Sequence, residues 1–195
     1  TPRSKVHATD SQWYAICKAA VARNMFCEVK EADFFKNQFG DLVLNGAMGV
    51  DKFKEIDGVM EQQLRFITNL IPLNCYMRKL DGDSNLLPQA SFLNMMILGE
   101  DEIAWLDGED LQSCFNFFFL PPQWKGYFAF AKQVSSSGFG GPASGLSYVA
   151  MRAVPMGWTN SFDVIQNFIR RFVFETCGVP PNREVRTDRP FLLVW

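Results

Sequence analysis

Apolar positions at Trp13, Ile16, Cys17, Ala20 and Val21 recur at helical spacing and predict a helix over Ser11 to Met25, with Asp10 as its N-cap. A less regular stretch rich in Phe and Gly runs on to about Gly58. Its phenylalanines Phe34, Phe35 and Phe39 read as packing residues. Gln63 to Leu73 reads as one or two strands, or a strand and a turn, and Leu80-Asp81-Gly82-Asp83 as a turn. Ile103-Ala104-Trp105-Leu106 predicts a buried strand with Asp107-Gly108-Glu109-Asp110 at its carboxyl end. After Cys114 to Leu120, Pro121-Pro122 stops any regular element. Phe128 to Val134 and Tyr148 to Val154 predict a hairpin around the Ser- and Gly-rich loop Ser135 to Gly145. Pro155-Met156-Gly157-Trp158 is a tight turn. Beyond it Phe162, Ile165, Ile169, Phe172, Val173 and Thr176 trace one helical face, capped by Thr159 or Asn160 before and Gly178 after. Phe191 to Trp195 reads as a strand entering a core, which makes the chain the expected fragment of a longer polypeptide. Helices and strands mix without strict alternation, so the expected class is α+β.

Composition narrows the classes of function. Of 195 residues, 48% are hydrophobic and 21% charged, the balance of a globular chain rather than a disordered one. No apolar stretch approaches the roughly 18 residues that span a bilayer, so no membrane partner is expected. Thr1-Pro2-Arg3-Ser4-Lys5 has no apolar core behind its charges, so no secretory leader is expected in it. The five cysteines are scattered and odd in number, with no C-x-x-C pair, and there is one histidine. A structural zinc or a disulfide framework is therefore not expected; reduced thiols in the cytoplasm or nucleus are. With a net charge of −2, nucleic acid would have to be met through local basic clusters, for which Lys125, Lys132 and Arg152 are candidates.

Candidate chemistry begins at Asp107-Gly108-Glu109-Asp110, three carboxylates in four residues. A divalent cation would offset that charge, since Mg²⁺ takes hard oxygen ligands from one or two carboxylates together with substrate phosphates. The alternative is a solvated acidic turn.

Four segments together resemble reverse transcriptases of the retroelement type. Asp110, at the end of an apolar strand and followed five positions later by the aromatic Phe115, resembles their first catalytic motif; Asp107 fits less well because Gln112 takes that position. Val154-Pro155-Met156-Gly157-Trp158 with Ser161 and Gln166 resembles their Pro-x-Gly turn opening a helix. Leu64 to Asn74, with Arg65 and a Leu-Asn ending, resembles the fingers motif. Leu87-Pro88-Gln89-Ala90-Ser91-Phe92-Leu93 resembles the segment leading into the palm.

The resemblance implies fingers and palm, with the palm sheet backed by helices and incomplete at the C-terminus: a fingers-like region with the N-terminal helix over 1–78, a first palm segment with the acidic motif over 79–120, a fingers-like hairpin over 121–154, and a truncated second palm segment over 155–195. It implies an RNA-directed DNA polymerase joining deoxynucleoside triphosphates to a primer on an RNA or DNA template by two-metal phosphoryl transfer. In that scheme Asp110 and the backbone carbonyl of Leu111 hold Mg²⁺ or Mn²⁺, and Arg65 meets the triphosphate. Phe115 lies beneath the sugar and selects deoxynucleotides, or else is one more core aromatic. Gly157 lets backbone approach the nucleotide. Met156 stands where better-known members carry Gln, and Asn69 where many carry an acid. The aromatic-x-Asp-Asp motif would follow within about 20 residues of Trp195, so the isolated fragment is expected to be inactive. The alternatives are a degenerate or domesticated remnant that binds nucleic acid or a protein without catalysis, and an unrelated α+β domain with a solvated acidic turn.

Overall fold

The computed structural model describes residues 4–89, 91, 98–101, 103, 105, 108, 110–139, 142 and 144–189. Helix α1 (Asp10–Ala22) starts at a capping box: the Thr9 hydroxyl accepts from the Gln12 amide, and the Gln12 side chain accepts from the Thr9 amide. Thr9 is thus the cap, and the expected cap Asp10 is instead the first helical residue, its carboxylate 2.8 Å from Lys132 Nζ. The helix buries Trp13, Cys17 and Ala20. Trp13 satisfies its indole N–H on the Lys132 carbonyl at 3.1 Å and packs edge-on to Phe130, ring centroids 5.3 Å apart.

Asn24, at φ 58°, reverses the chain into β1 (Phe26–Val29). This strand pairs antiparallel with β5 (Leu146–Met151), which also pairs antiparallel with β4 (Val134–Ser135), giving the order β1-β5-β4. The predicted hairpin across the Ser-rich loop therefore exists, but shorter. Residues 122–128 are a 3₁₀ helix, and 129–130 join the sheet only through a bridge from Ala129 to Ala150 and the Phe130 amide bonded to the Val149 carbonyl. Gly126 in that 3₁₀ helix is obligatory, because a Cβ there would run into the Asp33 carbonyl.

The second sheet is one long hairpin, β2 (Gly46–Ile56) and β3 (Val59–Asn69), in register from Gly46↔Asn69 to Ile56↔Val59. Asp57 and Gly58, at φ 51° and 78°, form its two-residue turn with both central residues left-handed, as a type I′ turn requires. Only its base is buried. Phe66 packs against Phe26 and Phe130 at 5.7 and 6.2 Å, and Ala47 bridges to Val6. Asn45, fully buried just before β2, spans to the 3₁₀ segment through amide bonds to the Tyr127 and Ala129 carbonyls. A short helix α2 (Ile71–Asn74) follows β3.

By internal contacts the chain forms two units, Thr1–Arg78 with Ser113–Ser161, and Lys79–Gln112 with Phe162–Trp195. The elements above belong to the first. In the second, α3 (Ser161–Arg171) continues into a π-helical turn over 172–176, and Gly178 at φ 70° follows it. Its ionic centre is Arg170. The guanidinium pairs with Asp83 and forks onto Glu184 at 2.6 and 2.8 Å, while Asn167 also donates to Asp83 at 3.0 Å. These bonds hold the Asp83 carboxyl below the usual carboxylate range, the Arg170 hydrogen bond contributing most. Thr187 adds bonds to the Leu86 and Asn85 carbonyls.

The architecture is α+β with antiparallel sheets. Among the described residues no helix is long and apolar enough to cross a membrane. The buried strand expected at 103–106 differs: Ile103 and Trp105 are 77% and 91% exposed and in no strand, while Ala104 and Leu106 lie outside the described residues. The expected strand at 191–195 also lies outside them.

Candidate active site

Two segments more than eighty residues apart in sequence meet at the base of the β2–β3 hairpin. Arg65 sits on β3 opposite Val50, exposed, and its Nη2 donates to the thioether of Met156 at 3.6 Å. Met156 belongs to the predicted tight turn, closed by the Trp158 amide bonding the Pro155 carbonyl. Gly157 in that turn lies so close to β3 that a Cβ would stand 2.9 Å from the Thr68 carbonyl oxygen and 3.3 Å from its hydroxyl. Thus Gly157 has a packing requirement of its own.

Asn74 ties the turn to α2. Its amide nitrogen donates to the Gly157 carbonyl at 2.9 Å, and its side-chain oxygen accepts from the Thr159 amide at 3.0 Å. One side chain therefore uses both halves of its amide to clamp the Pro-x-Gly turn. Behind the turn, buried Trp158 packs edge-on to Trp124 and Phe128 at 5.8 and 5.6 Å. Asn74 was visible in the sequence only as the end of a Leu-Asn pair; its spacing to Gly157 carries no signal of contact.

Phe115 lies in a 3₁₀ turn (Cys114–Phe117) and is half-buried. The next residues run antiparallel to the segment leading into the Pro-x-Gly turn: the Leu120 amide bonds the Arg152 carbonyl, and the Val154 amide bonds the Phe118 carbonyl, both at 2.8 Å. Phe115 precedes this ladder and Gly157 follows it, so both leave it at the same end. The structure thus brings Arg65 into contact with Met156, seats Gly157 against Thr68 of the same strand and places Phe115 at that end.

Asp110 and Leu111 belong to the other unit and are exposed; Asp107 and Glu109 lie outside the described residues. Among the described residues no three His, Cys, Asp or Glu side chains form a metal-holding group. The exposed Asp110 carboxylate and the Leu111 carbonyl are hard oxygen donors. They fit a magnesium ion that takes its remaining ligands from phosphates and water, and not an all-protein cage.

The three basic candidates separate. Lys132 is committed to Asp10 and to the Ala8 carbonyl, at 2.8 and 2.7 Å. Lys125 pairs with Asp33 at 2.9 Å, a bond that raises its own pKa and lowers that of Asp33. Arg152 bonds Asn24 at 3.0 Å and lies over the Phe119 ring at 5.3 Å. Lys125 and Arg152 share a cleft of about 280 Å³ with Cys27, whose thiol burial pushes up despite both cations.

No protein-family model matches the sequence, and no curated protein matches it.

Proposed function

We propose that this chain forms fingers and palm of an RNA-directed DNA polymerase, adding deoxynucleotides to a primer. The observation that supports it is the meeting of Arg65 with the Met156-Gly157 turn, two motifs about ninety residues apart that the resemblance assigns to one nucleotide site. A contact between them is what a shared triphosphate pocket requires.

In this reading Arg65 offers its planar fork to the phosphate oxygens, a geometry that lysine cannot supply. Gly157, held by Asn74, presents bare backbone to the nucleotide. Phe115 fills the space a ribose 2′-hydroxyl would need. Asp110 and the Leu111 carbonyl would hold Mg²⁺ or Mn²⁺, which would supply charge neutralisation for phosphoryl transfer. Met156 replaces a hydrogen-bonding side chain with a weak sulfur acceptor, leaving the guanidinium less tightly held for the triphosphate.

The test is primer extension by the full-length protein. Extension on a primed RNA with Mg²⁺ or Mn²⁺ should fall at least ~10³-fold in Asp110→Asn, an order typical of losing a group that holds developing charge. Absence of extension with either ion, or extension indifferent to Asp110→Asn, would overturn the reading.

A further inference from the structure

The β2–β3 hairpin has two chemically different faces. Strand alternation and the register place Lys52, Lys54 and Arg65 on one face, with Glu61 opposite Lys54. The other face carries Asp51, Phe53, Glu55, Met60, Gln62 and Leu64, with two carboxylates and no cation. Its apolar members are open to solvent: Phe53 61%, Met60 62% and Leu64 74% exposed.

Phe53 and Met60 sit nearer the tip and Leu64 nearer the base, with Asp51 and Gln62 between them. A Cβ on Gly49 would lie 3.0 Å from Leu64 Cδ2, so the hairpin twist brings each β2 residue toward the β3 residue two before its partner. The same diagonal joins Phe53 to Met60, because Phe53 pairs with Gln62. At the base of this face Leu64 lines an apolar cavity of about 180 Å³ together with Trp13, Ile16, Ala47, Gly49 and Phe66. From Gly49 to Glu55 the face extends about 20 Å at ~3.4 Å per residue, the length of a helix of about 14 residues.

We propose that this face docks a basic amphipathic helix of a protein partner, with one large apolar side chain in the cavity and its lysines or arginines against Asp51 and Glu55. Spaced exposed apolar side chains leading to a pocket suit the recurring anchors of helix-in-groove recognition. The occupant's charge follows from the segregation: with carboxylates alone on this face, a nucleic acid would be repelled and a cationic helix attracted. The inference stands independently of the polymerase reading, which concerns the opposite face and the hairpin base.

The experiment uses the full chain and two fluorescein-labelled amphipathic 14-residue peptides of identical leucine pattern, one lysine-rich and one glutamate-rich, read by anisotropy. The lysine peptide should bind at least tenfold more tightly. Phe53→Ser and Leu64→Asp should each weaken it at least tenfold, as for a buried anchor. Gln62→Lys, which leaves Phe53, Met60 and Leu64 unchanged, should weaken it through charge, and Lys52→Glu on the opposite face should not weaken it. Equal binding of both peptides, or binding indifferent to the Phe53, Leu64 and Gln62 changes, would overturn the proposal. So would a concentration-dependent dimer abolished by Phe53→Ser, or an RNA oligonucleotide whose binding Phe53→Ser abolishes.

Discussion

Replacing Asn74 with Ala tests the clamp on the Pro-x-Gly turn. The substitution deletes two hydrogen bonds at once, to the Gly157 carbonyl and from the Thr159 amide. Gly157 is exposed, so its carbonyl regains water and costs only the net worth of a hydrogen bond, ~1 kcal/mol. Thr159 is half-buried, and leaving its amide poorly paired costs ~1–2 kcal/mol. The expected total is about 2 kcal/mol, which for a unit of this size lowers the melting temperature by roughly 6 °C. Unfolding is best followed by near-ultraviolet circular dichroism, to which the edge-on Trp124–Trp158 pair contributes.

A second variant separates hydrogen bonding from packing. Asn74→Asp keeps the acceptor for Thr159 but sets a carboxylate oxygen against the Gly157 carbonyl. Its protonated form can donate there, so the folded state raises the pKa of the new carboxyl above its unfolded value. The penalty should therefore be largest at neutral pH and shrink as pH falls through the carboxylate range. A loss below about 0.5 kcal/mol for Asn74→Ala, or a pH-independent penalty for Asn74→Asp, would refute the clamp.

Acid should loosen the second unit through Asp83. Its folded pKa lies below the unfolded one, so its contribution is present above pH ~4 and disappears as pH falls through the depressed value. Far-ultraviolet titration of Asp83→Asn should show a flatter acid limb than the natural chain, and superimposable limbs would argue against the Arg170 pairing. Burial pushes the Cys17 thiol up to about 12, so at pH 8 it is neutral and enclosed. A disulfide reagent should then label exposed Cys75 and Cys177 in the folded chain and Cys17 only on unfolding, as peptide mapping would establish.

Much of the first unit was legible because its elements carry local signals. The α1 stripe and the Pro155-Met156-Gly157-Trp158 turn each depend on spacing within a few residues, as does helix α3 of the second unit, where Phe162 and Phe172 of the expected apolar face are nonetheless 49% and 50% exposed. Strand β2 was not legible. From Val50 to Glu55 both of its faces are exposed, so no burial period marks it, and its one strong cue is the Asp57-Gly58 turn that joins it to β3. Trp105 and Ile103 illustrate the opposite error: apolar side chains invite a buried reading, yet residue type does not determine burial. In the candidate site, Arg65 and Gly157 were singled out by motif letters. The clamp by Asn74 could not, since contacts across more than eighty residues depend on tertiary packing alone.

The in-register hairpin also fixes how its arm can change length. Adding two residues to each strand above the Ala47–Thr68 rung would carry the tip outward by about 7 Å with every side chain still on its own side. Adding one residue to each would turn the whole distal half over, presenting lysines where phenylalanine and methionine now stand. Natural length variants of this arm are therefore expected to differ by even steps.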